Sequence, residues 1–299
     1  MRNLDRPCPV CAGRRLGAVP SVQPEHLLRC FNCGLVFEWR TPTDQELAAH
    51  YGQYVYGQIK PLPPATTASY QQVLKTLEPW RGQGRLLDLG CGQGDFLVEA
   101  AAAHWQPTGM KFSEAAVSLC RERGVEVVQG ALAANALSGR SFDVVTAFEV
   151  LEHLRSPADL LSEAFTLLER GGLMYLTTPN FNALPRHLER EGFAPISYPD
   201  HLCFFTSATL RQLAARHGFR VASLQTTGLD PWRLKHCLRV GRSPEATDSS
   251  ELPAVKDARS EFRTVFYTSR GMALLKTSVN ALVNAVGAGD TLKAWLVKL

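Results

Sequence analysis

The sequence predicts an α/β protein with a largely parallel sheet, fronted by a small metal-held module and carrying a helical insertion before its last strand. Three observations carry that expectation. From Arg85 onward, short apolar runs alternate with amphipathic patterns, as strands and helices do around a parallel sheet. Between Leu86 and Phe96 an apolar run closes on Asp88 and gives way to glycines at 90, 92 and 94. Four of the eight cysteines, Cys8, Cys11, Cys30 and Cys33, form two C-x2-C pairs near the start.

Composition bounds the alternatives. With 299 residues, 45% of them hydrophobic and 20% charged, the chain can bury a sizeable core. A net charge of +4 lacks the dense basic stripe of a dedicated nucleic-acid binder, so no nucleic-acid partner is expected. No apolar run reaches the roughly 18 residues of a transmembrane helix. The opening MRNLDRPCPVC has no apolar signal-peptide core, which favours the cytoplasm.

The cysteine spacing comes first along the chain. In a reducing compartment, two knuckles that each aim two thiolates at one point indicate metal rather than disulfides. Four thiolates complete the tetrahedron that structural zinc prefers, and a filled tetrahedron leaves no position for substrate. Residues 1–40 are therefore read as a zinc ribbon, with Gly34 supplying a positive φ after the second knuckle. His26 is read as a surface residue, because four cysteines already fill the site. Six arginines against three acidic residues between Arg2 and Arg40 read as a solvated face, with contact to a phosphate-bearing substrate as the alternative.

Residues 41–80 form a loop-rich linker and entry helix, marked by threonines, prolines and the tyrosines from Tyr51 to Tyr56. The core spans 81–229. Its strands are expected at 85–90, 107–112, 125–130, 142–148 and 173–179, with a sixth near 219–226, and its helices at 95–104, 114–123 and 157–170. Ser156, Pro157 and Gly171 punctuate the last helix as N-cap, first residue and C-terminal stop. Residues 230–288 are a helical insertion or cap that includes the polar stretch from Ser243 to Glu251. Leu275, Val279, Leu282, Val283 and Val286 mark one apolar helix face within it. The stretch 289–299 supplies the final strand.

The D-L-G-C-G-x-G run at 88–94 resembles the first motif of class I S-adenosylmethionine-dependent methyltransferases. Dinucleotide dehydrogenases place their third glycine one residue later. The resemblance continues through FDVVTAFEVLEHL (142–154), LLERGGLMYLTTPN (167–180) and PDHLCFFTSATLRQLAARHGF (199–219). Ribbon, core and closing motifs together are similar to bacterial methyltransferases acting on sugars, glycans and natural products. The resemblance implies a Rossmann-like core with a mostly parallel seven-stranded sheet and S-adenosylmethionine as cofactor. Asp88, Gly90, Cys91, Gly92 and Gly94 then surround the methionine part. Lys111 and Phe112 follow the second strand, Ala131 and Leu132 the third, and Phe148 and Glu149 border the cofactor after the fourth. Lys111 departs from the family pattern, which has an acid there to accept hydrogen bonds from the ribose hydroxyls; an ammonium only donates. Three readings stay open: weaker ribose binding through lysine or water, a cofactor with an added anionic group, or lost cofactor binding.

Glu149, Glu152 and His153 are spaced i, i+3 and i+4, so one helical turn would present all three on a face at the carboxyl end of a strand. His201 follows the fifth strand. His153 or His201 is the expected general base, with Glu149 beside it. The alternatives are a structural role or a second site for Mg2+ or another divalent ion, made by Glu149, Glu152, His153 and His201. The E-x-x-E-H motif resembles the metal set of small-RNA 2′-O-methyltransferases, and similar residues occur in ubiquinone-pathway O-methyltransferases. The expected reaction moves a methyl group to a hydroxyl of a small molecule such as a sugar, glycan or natural product. The alternatives are C-methylation of a deoxysugar, RNA 2′-O-methylation, or an inactive methyltransferase-fold binding module.

Overall fold

The computed structural model of the chain describes residues 6–19, 26–52, 62–130, 137–189, 195–229 and 270–299. Strands β1 (Leu16–Ala18), β2 (Leu27–Cys30) and β3 (Val36–Glu38) come first, followed by helices α1 (Asp44–Gly52) and α2 (Pro64–Leu77). The alternation then runs β4 (Arg85–Leu89), α3 (Asp95–Ala102), β5 (Gln106–Lys111), α4 (Glu114–Glu122), β6 (Glu126–Gln129), β7 (Phe142–Phe148), α5 (Pro157–Leu167) and β8 (Leu168–Pro179). The chain closes with α6 (Leu184–Glu189), β9 (Cys203–Phe204), α7 (Ser207–Arg216), β10 (Phe219–Thr227), α8 (Arg270–Ala285) and β11 (Thr291–Lys298). Among the described residues no helix is long and apolar enough to cross a membrane.

Two compact units share this chain. The second comprises Pro42–Thr178, Arg211–Leu224 and Ala294–Leu299. It holds a seven-stranded sheet in the order β10-β11-β8-β7-β4-β5-β6. Strands β4, β5, β6, β7 and β8 pair in parallel. A parallel strand covered on both faces needs apolar residues throughout, and β4 shows it: Leu86, Leu87 and Leu89 are buried. Leu74 and Leu77 of α2, Phe96 of α3, Tyr175 of β8 and Trp295 of β11 pack with Leu86 and Val144 in one core cluster.

The core strands and helices lie near their expected positions, and the boundary between α5 and β8 departs from them. Helix α5 stops at Leu167, and Gly171 lies inside β8 rather than past a helix end. Leu168 pairs with Phe142 while Leu173 pairs with Val144, so β8 carries a bulge opposite Asp143. Gly171 has φ +77°, and a Cβ on Gly172 would stand 2.9 Å from the carbonyl oxygens of Asp143 and Glu169. The adjacent glycines that look like a helix stop serve a strand bulge.

The first unit comprises Met1–Thr41, Pro179–Leu210 and Gln225–Lys293. Its four-stranded sheet has the order β1-β2-β3-β9, all neighbours antiparallel. Leu27, Val36, Phe181, Ala183 and Phe204 form its apolar cluster. Residues 179–210 thus return to complete a sheet begun by the first forty residues, a long-range pairing that local patterning does not announce. Helix α8 is held by side-chain amides: Asn284 Oδ1 accepts from the Thr226 N–H at 2.7 Å, and Asn280 Oδ1 from the Gly228 N–H at 3.1 Å. Its expected apolar face is split, for Val283 is buried while Leu282 and Val286 are exposed. Residues 53–61 of the linker and 230–269 of the insertion, including Ser243 to Glu251, lie outside the described residues, as does the side chain of Leu275.

His26 is not the surface residue that its sequence context suggests. Its Nδ1 pairs with Glu38, whose side chain is 1% exposed. Arg40 gives Glu38 both its backbone N–H and its Nε, each at 3.1 Å, and stacks on Tyr198 at 3.9 Å. A buried carboxylate requires such partners, and the histidine is recruited because β2 and β3 run side by side. Burial holds the His26 imidazole below its ordinary value despite the Glu38 charge, with Arg40 acting in the same direction. As pH falls through 6.5 the unfolded chain therefore takes the proton first, so the fold loses stability on acidification. Denaturant unfolding between pH 7.5 and pH 5, followed by a probe in the first unit, should show a steeper loss for the native chain than for His26→Gln. Parallel curves for the two proteins would refute the assignment.

Candidate functional site

In the first unit, the sulfurs of Cys8, Cys11, Cys30 and Cys33 all lie within 4.8 Å of one another. The pairs Cys8–Cys33 and Cys11–Cys30 are each 3.5 Å apart, and all four thiols are free. Bonds of about 2.3 Å from a central ion would give a tetrahedron with edges of about 3.8 Å, so this donor set fits a tetrahedral thiolate site. Backbone amides already point at the sulfurs: Val10 and Cys11 to Cys8, Gly13 to Cys11 and Leu35 to Cys33. The Cys33 thiol beside it holds Cys8 down to about 5, and Cys33 is pushed up in return. Each knuckle closes with a left-handed residue at the same place, Ala12 at φ +55° and Gly34 at φ +81°. Gly34 is legible in the sequence; Ala12 carries no such signal.

In the second unit, β4 delivers Asp88 and then the glycine turn. Gly90, Gly92 and Gly94 have φ of +76°, +54° and +78°. What each missing side chain would meet separates their reasons. A Cβ on Gly90 would lie 2.6 Å from Val150 Cγ2, and one on Gly94 3.1 Å from Cys120 Sγ. A Cβ on Gly92 would meet nothing within 4 Å. Gly90 and Gly94 are thus required by packing, whereas Gly92 leaves bare backbone beside open space, the cradle a ligand needs for close approach. Arg123, just beyond α4, braces the turn by donating to the Gln93 carbonyl at 2.6 Å and to Asp95 at 2.5 Å.

Asp88 is 3% exposed and accepts a hydrogen bond from the Thr146 hydroxyl of the neighbouring strand at 2.7 Å. Burial pushes its carboxyl up to about 7, opposed by Thr146 and by the charge of Lys111. Lys111 ends β5 opposite Gln129. Phe112 beside it is 78% exposed. Ala131 and Leu132 lie outside the described residues.

Phe148, the last residue of β7, sits in an aromatic cluster with Phe96 at 4.6 Å, Tyr70 at 5.7 Å and Tyr175 at 5.6 Å between ring centroids. Burial, together with the charges of Asp88 and Asp95, pushes the Tyr70 hydroxyl up to about 12. Sequence reasoning missed Tyr70. It stands on a helix before the core, where only the apolar pattern of 70–77 hints that one face packs on the sheet.

Glu149 adopts φ +51°, a costly conformation for a residue with a side chain, and its N–H is shared between the carbonyl and hydroxyl oxygens of Thr177 at 3.1 and 3.2 Å. The expected helical turn from Glu149 to His153 is absent. Glu149 lies in the left-handed region, and only Leu151–His153 form a short 3-10 turn, so the three side chains do not share a helix face. Glu152 points inward, accepts from the Thr178 hydroxyl at 2.8 Å, and is pushed up to about 8 by burial and by Glu149. His153 Nε2 lies 3.8 Å from Glu152 Oε1. His201 belongs to the first unit, where its Nδ1 lies 2.7 Å from the Pro195 carbonyl oxygen. A carbonyl only accepts, so Nδ1 carries the proton and Nε2 is the basic nitrogen.

Over residues 65–224 the sequence matches the model of a methyltransferase domain. A Mycolicibacterium smegmatis protein, named as a probable S-adenosylmethionine-dependent methyltransferase, is 34% identical over 176 residues, covering 49% of this chain and 66% of that protein. The ubiquinone biosynthesis O-methyltransferase of Burkholderia multivorans is 37% identical over 105 residues, covering 33% of this chain and 45% of that protein. The chain spans less than two thirds of the length of either relative. The crystal structure of a SAM-dependent methyltransferase from Archaeoglobus fulgidus superposes with a TM-score of 0.50 at 17% identity, covering 78% of this chain and 94% of that one. That likeness is one of fold, a Rossmann-like core.

Asp88 provides a test of the site without any ligand. Its carboxyl is raised from 3.8 unfolded to about 7 folded, so its contribution to stability is complete below pH 3.8 and is lost as pH rises through 7. Asp88→Asn removes that loss. Between pH 5 and pH 8 the native chain should lose about 2–3 kcal/mol more unfolding free energy than the variant, measured by denaturant titration. Equal losses would show that Asp88 is not buried as described.

Proposed function

The chain belongs to the methyltransferase-domain family, and we propose that it is an S-adenosylmethionine-dependent methyltransferase acting on a hydroxyl of a small molecule such as a sugar, glycan or natural product. The observation that carries this reading is Gly92, bare and left-handed at the tip of the turn after β4, with open space where its side chain would be.

In this reading Asp88, Gly90, Cys91, Gly92 and Gly94 hold the methionine part of the cofactor. Lys111 and Phe112, with Ala131 and Leu132, flank ribose and adenine, and Phe148 and Glu149 border the reacting end. S-adenosylmethionine, when bound, supplies a methyl group already activated on a sulfonium. The protein's tasks are then to align the acceptor oxygen and to remove its proton. His153, His201 and Glu149 are the candidate bases. His201 is supported by its fixed tautomer, and Glu149 by its strained backbone just past the end of β7. Of the four residues expected as donors for a divalent ion, Glu149, Glu152 and His153 belong to the second unit and His201 to the first, so the proposed donors are Glu149, Glu152 and His153, should the acceptor require an ion.

For the first unit, the proposal is one structural zinc on Cys8, Cys11, Cys30 and Cys33, in the cytoplasm, where thiols stay reduced. Metal analysis of the purified chain should give one zinc per protein. Cys30→Ser or a strong chelator should remove it and unfold the first forty residues. A metal-free protein with an ordered ribbon would sink this assignment.

Calorimetric titration with S-adenosylmethionine and its demethylated product tests the cofactor reading. Gly92→Val should abolish binding in a protein that still melts cooperatively, and unchanged affinity would overturn the placement. Lys111→Asp should tighten binding by about 1–3 kcal/mol through restored acceptors for the ribose hydroxyls. If the natural ligand carries an added anionic group, the same substitution weakens binding of that ligand instead. No change with either ligand would mean that Lys111 does not face the ribose.

A further inference from the structure

The glycine turn carries a thiol that the proposed chemistry leaves unused. Cys91 lies between Gly90 and Gly92, and its Sγ stands 2.7 Å from where a Cβ on Gly109 would be, so it points into the protein and away from the open side of Gly92. Cys120 on α4 faces it. Its Sγ lies 3.7 Å from the Gly92 carbonyl oxygen and 3.1 Å from where a Cβ on Gly94 would be. The two thiols are buried, and they share an apolar cluster with Leu97, Val117, Val125 and Val127.

We propose that Cys91 and Cys120 form an oxidation-sensitive pair, joined by a peroxide into a disulfide that ties the glycine turn to α4 and weakens cofactor binding. The binding half of this inference rests on the cofactor reading given above; the disulfide does not. The asymmetry of the pair suits the chemistry. The Cys91 hydrogen bond and the charges of Arg123 and Lys111 favour the thiolate of Cys120, whereas its hydrogen bond to Cys120 and burial keep Cys91 a thiol. One sulfur can attack and the other can resolve.

The steps balance with hydrogen peroxide as the two-electron oxidant. The Cys120 thiolate attacks one peroxide oxygen, the O–O bond breaks, and the departing hydroxide takes a proton to become water. Cys120 is left as a sulfenic acid. The Cys91 sulfur then attacks the Cys120 sulfur while its own proton goes to the leaving hydroxyl, which departs as a second water. The two thiols are oxidised and the peroxide is reduced. The two sulfurs end about 2.05 Å apart. Because Cys91 sits between two left-handed glycines, drawing it toward α4 displaces the backbone that faces the ligand space.

The test uses the whole, metal-containing protein. Reduced protein is treated with hydrogen peroxide, alkylated, digested and mapped, while metal content and affinity for S-adenosylmethionine are measured before and after. The expected result is a Cys91–Cys120 linked peptide at unchanged metal content, with affinity lowered at least tenfold and restored by dithiothreitol. Cys120→Ser should bind like the reduced native chain and stay insensitive to peroxide, with Cys120→Ala as the second variant should the first prove unstable. Unlinked or separately oxidised cysteines would overturn the pair. A linked peptide with unchanged affinity would overturn its effect on the turn. Reduced protein with no measurable cofactor binding would count against the cofactor reading, while the mapped bond would still decide the thiol pair.

Discussion

The chain leaves β4 and enters α3 through three left-handed residues at 90, 92 and 94, and the geometry of the candidate site hangs on that reversal. For an L-residue with a side chain each such conformation costs about 1–2 kcal/mol, and a Cβ would clash with Val150 at Gly90 and crowd Cys120 and Val125 at Gly94. The turn is therefore closed to substitution from below, by Val150, Cys120 and Val125, and open only above Gly92. Its neighbours are set by the same constraint. Asp88 is the last polar residue before the turn and is tied across the sheet to Thr146; Arg123 grips the turn's far end. A parallel sheet brings these residues together because the carboxyl ends of its strands all emerge on one edge.

Much of this was legible in the sequence, for identifiable reasons. Strands covered on both faces are rich in apolar residues, so β4 and β7 announce themselves as short hydrophobic runs, and the glycine spacing marks the turn after β4. The cysteine pairs were equally plain, since two C-x2-C pairs in a short segment are explained by one site more simply than by redox chemistry, and their four sulfurs do converge. The misreadings share one cause. Gly171, His26 and the Glu149–His153 segment each take their role from a residue distant in sequence: Phe142 as strand partner, Glu38 as buried carboxylate, Thr177 as acceptor for a strained backbone. Local periodicity assigns a helix stop, a surface imidazole and a helical turn to those places, and tertiary pairing overrides all three. Tyr70 escaped for a related reason. Its importance comes from Phe96, Phe148 and the charges of Asp88 and Asp95, none of which its own neighbours in sequence reveal.

Among the buried carboxyl side chains, Glu38, Glu152 and Asp88 are each met by a different compensation. Glu38 is surrounded by partners, Arg40 and His26. Glu152 has one hydroxyl donor and a like-charged neighbour in Glu149, so burial drives it toward the neutral acid. Asp88 stands between these cases, with one hydroxyl and one ammonium to offset desolvation, and so titrates near neutrality. A carboxyl poised in that way is costly to keep in a resting protein. Groups of this kind recur where a ligand later supplies the missing donors, which is the sense in which strain at a site points to function.

The most unusual residue of the candidate site is Lys111. Lys111 departs from the family pattern as a ribose contact, yet it lowers the cost of ionising Asp88 from the adjoining strand. A carboxylate at 111 would act in the opposite direction, because like charges at that range disfavour ionisation of both. In the proposed cofactor placement, the lysine exchanges an acceptor at the ribose for charge balance at the methionine part. If Asp88 must be ionised to hold the amino group of the methionine part, the lysine strengthens that contact while it weakens the ribose contact. The two effects partly offset, and a site with lysine at 111 can still bind the ordinary cofactor, provided that Asp88 carries its charge.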